Sequence, residues 1–286
     1  LNLISGRTTA TVVATAATAI NGSAADVAAA LADTQISHTN TFDVTLTATS
    51  AAATDLTAID TATTKVVDGN LVTTLTGTAA AIAAAAQLDI DGTTTLKADF
   101  GATVDAGAVN ASDLNLISGR TTATIDATAA TAINGTATQV SDALADTQIN
   151  HDADFTVTLT NNSTATAAEL IAINAATNQP VTATGVTAIT GSISDVNTVL
   201  SAEANQDTPG DAIDLDADFT VTITDTGSVA ATTLTTLDTD VPGTVNANTV
   251  GSLTGTAAQI AAAATADANG TLVLKADFGA TVDAGA

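Results

Sequence analysis

The residues of this chain with the capacity for chemistry are its aspartates, two histidines and many hydroxyls. Asp214, Asp216 and Asp218 alternate along the chain, and Asp89-Ile90-Asp91-Gly92 opens as a calcium loop does, with carboxylates at every second position. Neither run completes such a loop. The first has no glycine at its sixth position, and neither reaches a glutamate at its twelfth, where Asp225 and Phe100 stand. Asp214, Asp216, Asp218, Asp89 and Asp91 are therefore the candidate metal ligands, with calcium the candidate ion. The competing explanation is a solvated turn or a helix cap, and no other cofactor is expected.

His38 and His151 occupy the same position of an internal repeat, 113 residues apart, so they belong to separate copies and are expected to be polar turn residues. Serine and threonine are abundant, but a nucleophile needs a base within hydrogen-bond reach and a third group to orient that base. Neither histidine has such a neighbourhood in sequence. The glycine pair in Gly101–Gly107 lacks the lysine of a phosphate-binding loop. No enzymatic activity is expected.

The elements that must position these residues are themselves repeated. Leu1–Thr9 (LNLISGRTT) reappears as Leu114–Thr122, and Lys97–Ala108 (KADFGATVDAGA) as Lys275–Ala286. All five phenylalanines mark one position: Phe42, Phe100, Phe155, Phe219 and Phe278 are separated by 58, 55, 64 and 59 residues. Gly22, Gly77, Gly135, Gly191 and Gly255 form a second ladder, each opening a G-[ST]-x-x-x-[VI] segment. The chain reads as one continuous array over 1–286, five units of about 57 residues, each made of two strand–helix half-units. It begins and ends inside the pattern, so a fragment of a longer chain is expected. The longest irregular stretch is Ala202 to Leu215.

One half-unit carries a helix after its glycine, as in Ser23–Ala32. Ser23 with Asp26, Thr136 with Gln139, Ser192 with Asp195 and Thr256 with Gln259 have capping-box spacing, and Thr78 lacks the second partner. The other half carries a strand after its phenylalanine, where Phe155, Val157 and Leu159 alternate with Thr156, Thr158 and Thr160. A second short helix follows, marked by Leu56/Ile59, Leu114/Ile117, Leu170/Ile173 and Leu234/Leu237. Strands separated by helices pair in parallel with right-handed crossovers, so the spacing predicts a right-handed β-α solenoid with one parallel sheet and short helices; a parallel β-helix is the alternative.

Composition narrows the function. The net charge is −25, with 30 acidic against five basic residues, which excludes neutralising phosphates and hence a nucleic-acid partner. Mean hydropathy is +0.35, yet the most apolar run, Ala79–Ala86, is far shorter than the roughly 20 residues of a spanning helix, so no membrane insertion is expected. Without cysteine there is no disulfide framework, and with 2% aromatic residues stability must accumulate over many small side chains. Thr156-Val157-Thr158 and Thr220-Val221-Thr222 match, locally, the threonine ranks with which a flat surface orders water, although Asp43 and Gly101-Ala102-Thr103 interrupt them elsewhere. Asn21-Gly22-Ser23, Asn134-Gly135-Thr136 and Asn269-Gly270-Thr271 are glycosylation sequons that read equally well as Asn-Gly turns.

The Ala/Thr/Asp composition, the near-exact copies and the [IL]-[NT]-G-[ST] turn before a short helix resemble repeat tracts of giant cell-surface proteins of marine bacteria, cyanobacteria especially. The resemblance covers the whole chain, and what it implies is an extracellular or cell-surface filament, stalk or surface layer with no active site. The alternative is a ligand-binding adhesin that recognises glycan, ice or a surface through calcium. The expected partners are neighbouring repeats, or copies of the chain end to end, and surface glycans.

Overall fold

The structure, a computed structural model, describes residues 1–160, 164–204 and 212–283. Its elements run α1 (Asn2–Ser5), β1 (Val12–Val13), β2 (Ala19–Gly22), α2 (Ala24–Ala32), β3 (Ile36–Ser37), β4 (Asp43–Leu46), β5 (Ser50–Ala52), α3 (Ala53–Ala62), β6 (Val67–Gly69), β7 (Thr74–Gly77), α4 (Ala79–Asp91) and β8 (Thr94–Leu96). There follow β9 (Gly101–Val104), β10 (Gly107–Asn110), α5 (Ala111–Arg120), β11 (Ile125–Asp126), β12 (Ala130–Gly135), α6 (Ala137–Ala145), β13 (Ile149–Asn150), β14 (Thr156–Leu159), β15 (Thr164–Thr166) and α7 (Ala167–Ala176). The last are β16 (Val181–Ala183), β17 (Ala188–Gly191), α8 (Ile193–Ala204), β18 (Ile213–Leu215), β19 (Thr220–Ile223), β20 (Ser228–Ala230), α9 (Ala231–Asp240), β21 (Val245–Ala247), β22 (Ser252–Gly255), α10 (Ala257–Asn269), β23 (Leu272–Leu274) and β24 (Gly279–Val282). Within the stretch Ala202 to Leu215, residues 205–211 lie outside the described residues. No helix among the described residues is long and apolar enough to cross a membrane.

The fold is α/β with parallel strands, and it divides into two compact units: Leu1–Thr131 with Ala143–Asp152, and Ala132–Asp142 with the chain from Ala153 onward. In the first unit β2, β4, β6 and β8 form one sheet, β5, β7, β9, β11 and β13 a second, and β1 pairs with β3. In the second unit β12, β14, β16 and β18 lie side by side, β15, β17, β19, β21 and β23 form another sheet, and β20, β22 and β24 a third.

The single sheet expected from the spacing is therefore replaced by several, and the reason lies in strand supply. Among the described residues, helices α4, α6, α8 and α10 each follow two strands, whereas α3, α5, α7 and α9 each follow three. The third strand, β5 or β15, sits directly against a helix start and pairs with the second strand of the next set, β7 or β17. That strand pairs with the middle strand of the following three, β9 or β19, which pairs in turn with the first strand of a pair, β11 or β21. A sheet thus moves one place outward in each repeat and ends after β13 or β23.

The core is a set of apolar ladders in register. Leu75, Ala102, Ile125 and Ile149 are consecutive Cα partners in one unit, and Ile189, Val221, Val245 and Leu272 in the other; all are buried. Helices close the other side. α3, α5, α7 and α9 each bury an alanine, a leucine three residues on, and an isoleucine or leucine three further, as in Ala53, Leu56 and Ile59. Helices of nine to thirteen residues are marginal alone and depend on this packed face. The expected N-caps form: Ser23, Thr78 and Thr256 accept from the backbone N–H three residues on, and Thr256 with Gln259 completes a capping box.

Each phenylalanine stands immediately before its strand and opens the inward rank. Phe42, Phe100, Phe155 and Phe219 are buried, and Phe278 is half-buried. Truncating a fully buried phenylalanine removes its transfer energy and leaves a cavity, so Phe100→Ala and Phe155→Ala should each cost about 3–5 kcal/mol in urea denaturation, and Phe278→Ala distinctly less.

Candidate functional site

Asp89 lies in the last turn of α4, which ends at Gly92 in the left-handed conformation (φ 77°). Its side chain is 5% exposed. One oxygen accepts from the Leu96 N–H at 2.7 Å, and the other receives the Arg120 guanidinium through Nε and Nη2. The carboxylate thereby ties α4 to β8 and to α5. Asp267, at the matching place in α10, repeats half of this by accepting from the Leu274 N–H at 2.8 Å. Asp91 accepts from Gln87 Nε2 of its own helix at 2.8 Å.

Asp214 is exposed on β18, opposite Thr182 of β16. Asp216 accepts from the Asp218 N–H at 2.9 Å in the turn before Phe219. Among the described residues, no group of three or more histidine or acidic side chains is gathered to hold a metal ion. The histidines sit in the turns that precede the phenylalanine strands: His38 Nδ1 is 2.7 Å from the Thr39 carbonyl and its ring meets Phe42 edge-on at 5.6 Å, while His151 Nδ1 is 2.9 Å from the Asp152 carbonyl.

The outward ranks of the sheets mix hydroxyl, amide and carboxylate. One reads Asn134, Thr158, Thr182 and Asp214 across four strands, another Thr166, Thr190, Thr222, Asn246 and Val273 across five. The Asn21 and Asn134 side chains are fixed in them, accepting from the Thr45 and Thr158 N–H groups at 3.1 Å. Asn21-Gly22 and Asn134-Gly135 are therefore strand ends leading straight into helix caps, not the turns expected from the dipeptide; Asn269-Gly270 does end a helix, with Gly270 at φ 81°.

Sequence reasoning missed a set of buried hydroxyls. Thr63, Thr121 and Thr177 follow α3, α5 and α7 and donate to the carbonyls of Phe42, Phe100 and Phe155, the first at 2.7 Å. The same oxygens accept from the backbone two residues on, at 3.1 Å. Their signal was a threonine four residues after the second apolar mark of each helix, Ile59, Ile117 and Ile173; Val241 takes the place in the fourth copy. The residue directly after that mark is polar too. Ser118 donates to Asp146, and Asp60 and Asp238 accept from Thr94 and Thr271.

Glu169 completes a capping box with Thr166 at the start of α7 and also accepts from the Thr138 hydroxyl at 2.7 Å. Burial pushes its carboxyl up, but the Thr166 N–H and the Thr138 and Thr166 hydroxyls together outweigh this and hold it below the ordinary value of 4.5. A carboxyl lowered in the folded state contributes stability that is fully present above 4.5 and is lost as pH falls through its folded value. Thermal melts should accordingly show wild type above Glu169→Gln at pH 6, with the gap closing below about 4.5. For the five candidate ligands the measurement is melting in calcium against chelator. With Asp89 engaged by Arg120 and Leu96, the expected result is an unchanged Tm, and a fall of many degrees on chelation would assign the ion.

Compared with protein-family models, with curated proteins and with solved structures, the chain matches none of them significantly.

Proposed function

We propose that this chain is a structural repeat segment of an extracellular or cell-surface filament, stalk or surface layer, built as a right-handed β-α solenoid. The observation that carries the reading is the register walk. Every pairing in both units is parallel and joins segments roughly one helix apart, and the sequence of strand roles along β5–β13 recurs along β15–β23. Such an arrangement extends by adding copies and makes length without a centre. The hand follows from the general preference of parallel crossovers for right-handed connection.

Two further features suit a scaffold. Matching residues of different repeats do the same mechanical work, Thr63, Thr121 and Thr177 on a phenylalanine carbonyl, Asp89 and Asp267 on a strand N–H. The surface carries the net charge of −25, which keeps a long chain soluble by self-repulsion at close range.

Removal of one whole sequence repeat tests the architecture. Deleting Ala53–Asn110 joins β5 to α5 at matching helix starts, so the variant should stay folded and keep the mean-residue circular dichroism of the parent chain. Unfolding of the variant would mean that the repeats depend on one shared core. For the location, immunogold labelling of intact, unpermeabilised producing cells should decorate the periphery, and label confined to the interior would overturn the surface assignment.

A further inference from the structure

Three asparagines of the chain stand before a glycine, Asn21, Asn134 and Asn269, and each glycine is followed by serine or threonine. An asparagine in this setting can lose its amide spontaneously, because a glycine nitrogen with no side chain beside it is free to approach the preceding amide carbon. The glycine N attacks the asparagine Cγ; the N–Cγ bond forms as the Cγ–Nδ2 bond breaks, and ammonia leaves. Water then opens the succinimide at one carbonyl or the other and leaves aspartate or isoaspartate. The reaction consumes only water, and nothing is oxidised or reduced. It requires the asparagine side chain to swing back against its own main chain, and in that respect the three sites differ.

Asn21 and Asn134 are held from two sides. Their Oδ1 atoms accept from the Thr45 and Thr158 N–H groups at 3.1 Å, which ties each amide to the neighbouring strand. Their glycines are paired in register, Gly22 with Leu46 and Gly135 with Leu159, and the two glycine carbonyls accept from the Thr47 and Thr160 N–H groups at 2.9 and 2.8 Å. Closing the ring at either site means releasing the side chain and parting β2 from β4, or β12 from β14. Shielding from water is not what protects them, since Asn21 is exposed.

Asn269 has no such ties. It is the last residue of α10, it is exposed, and among the described residues no hydrogen bond holds its side chain. Gly270 has φ 81°, and its N–H donates to the Asp267 carbonyl at 3.1 Å, within the terminal turn where a helix frays first. Nothing lies within 4 Å of where a Cβ on Gly270 would stand. The matching helix α4 ends in the same way at Asp91-Gly92, well inside the chain, with Asp91 exposed and Gly92 equally unobstructed. The openness therefore belongs to this type of helix end.

We propose that Asn269 is a site of spontaneous modification in the folded protein, passing through a succinimide to aspartate and isoaspartate, while the sheets keep Asn21 and Asn134 as amides. The aspartate product reproduces what α4 already carries as Asp91. The isoaspartate product lengthens the main chain by one carbon, two residues from the Asp267 carboxylate that accepts from the Leu274 N–H, and so loosens the end of α10 from β23. The inference uses the local fold alone and stands apart from the proposed function.

Ageing the purified chain in mildly alkaline buffer, followed by digestion in acid and tandem mass spectrometry, reads the three sites side by side. In the folded chain Asn269 should convert about tenfold or more faster than Asn21 or Asn134, whose reaction waits on opening of a sheet. In concentrated urea the three should convert at comparable rates, because their local sequences are alike and the sheets are gone. Comparable rates in the folded chain, a faster Asn21 or Asn134, or an Asn269 that stays intact when folded and reacts when unfolded overturns the proposal. A lead for Asn269 that persists undiminished in urea overturns it as well, since the sequence and not the fold would then set the rate.

Discussion

Each strand takes its hydrogen bonds from a segment roughly one helix away in the chain, and this short, nearly fixed separation constrains everything else. Parallel neighbours cannot be joined by a tight turn; the chain has to leave the sheet and come back. Here the return is brief: Val44 is followed by its partner Val67, Val67 by Thr94, Val157 by Val181. The trip leaves room for one helix of about three turns and for strands of two to six residues. Contacts between these strands consequently stay local along the chain, with paired residues 23 to 27 positions apart.

Closeness of the layers selects the residue types. Glycine or alanine at the end of one strand stands in register with a large aliphatic residue on the next, Gly22 with Leu46, Gly69 with Leu96, Gly135 with Leu159. A Cβ at Gly69 would come within 3.2 Å of the Leu96 side chain and 2.9 Å of the Thr95 carbonyl. Gly191 lies over the first residue of α7, where an added Cβ would be 2.8 Å from that of Ala167. An interior of small residues is thus a requirement of the pitch, and the alanine that dominates the composition is what allows adjacent helix starts to stack.

Much of this was legible in the sequence. The phenylalanine ladder, the Leu/Ile pairs and the capping residues each have a strong local signature, and Phe100, Leu114 and Ser23 do in the structure what their spacing predicts. The third strands, Ser50–Ala52, Gly107–Asn110, Thr164–Thr166 and Ser228–Ala230, had none: three or four residues before a helix are too few to display a period. Missing them hid the division into several sheets, which depends on counting strands between helices. Asp89 was misleading for another reason. Its neighbours in sequence imitate a calcium loop, while the partner that engages it, Arg120, lies 31 residues away. The buried threonines were invisible for the same cause, since Phe100 and Thr121 are joined only when one layer is laid on the next.

Those buried hydroxyls answer a difficulty that the apolar ladders create. A rank such as Ile133, Val157, Val181 and Ile213 would tolerate several alignments, because one branched aliphatic side chain replaces another at little cost. A slip by one residue would turn the face over, but a slip by two keeps the alternation and preserves most of the burial. Hydrogen bonds do not forgive such a slip. Thr177 must meet the Phe155 carbonyl, and Thr121 must meet that of Phe100; out of register each would leave a polar group buried and unmet, at about 1–3 kcal/mol apiece. The threonine-rich composition therefore does two jobs. On the outer ranks it supplies residues that fit a pleated, wetted surface, and at the helix ends it selects one alignment among those that the small apolar core would accept.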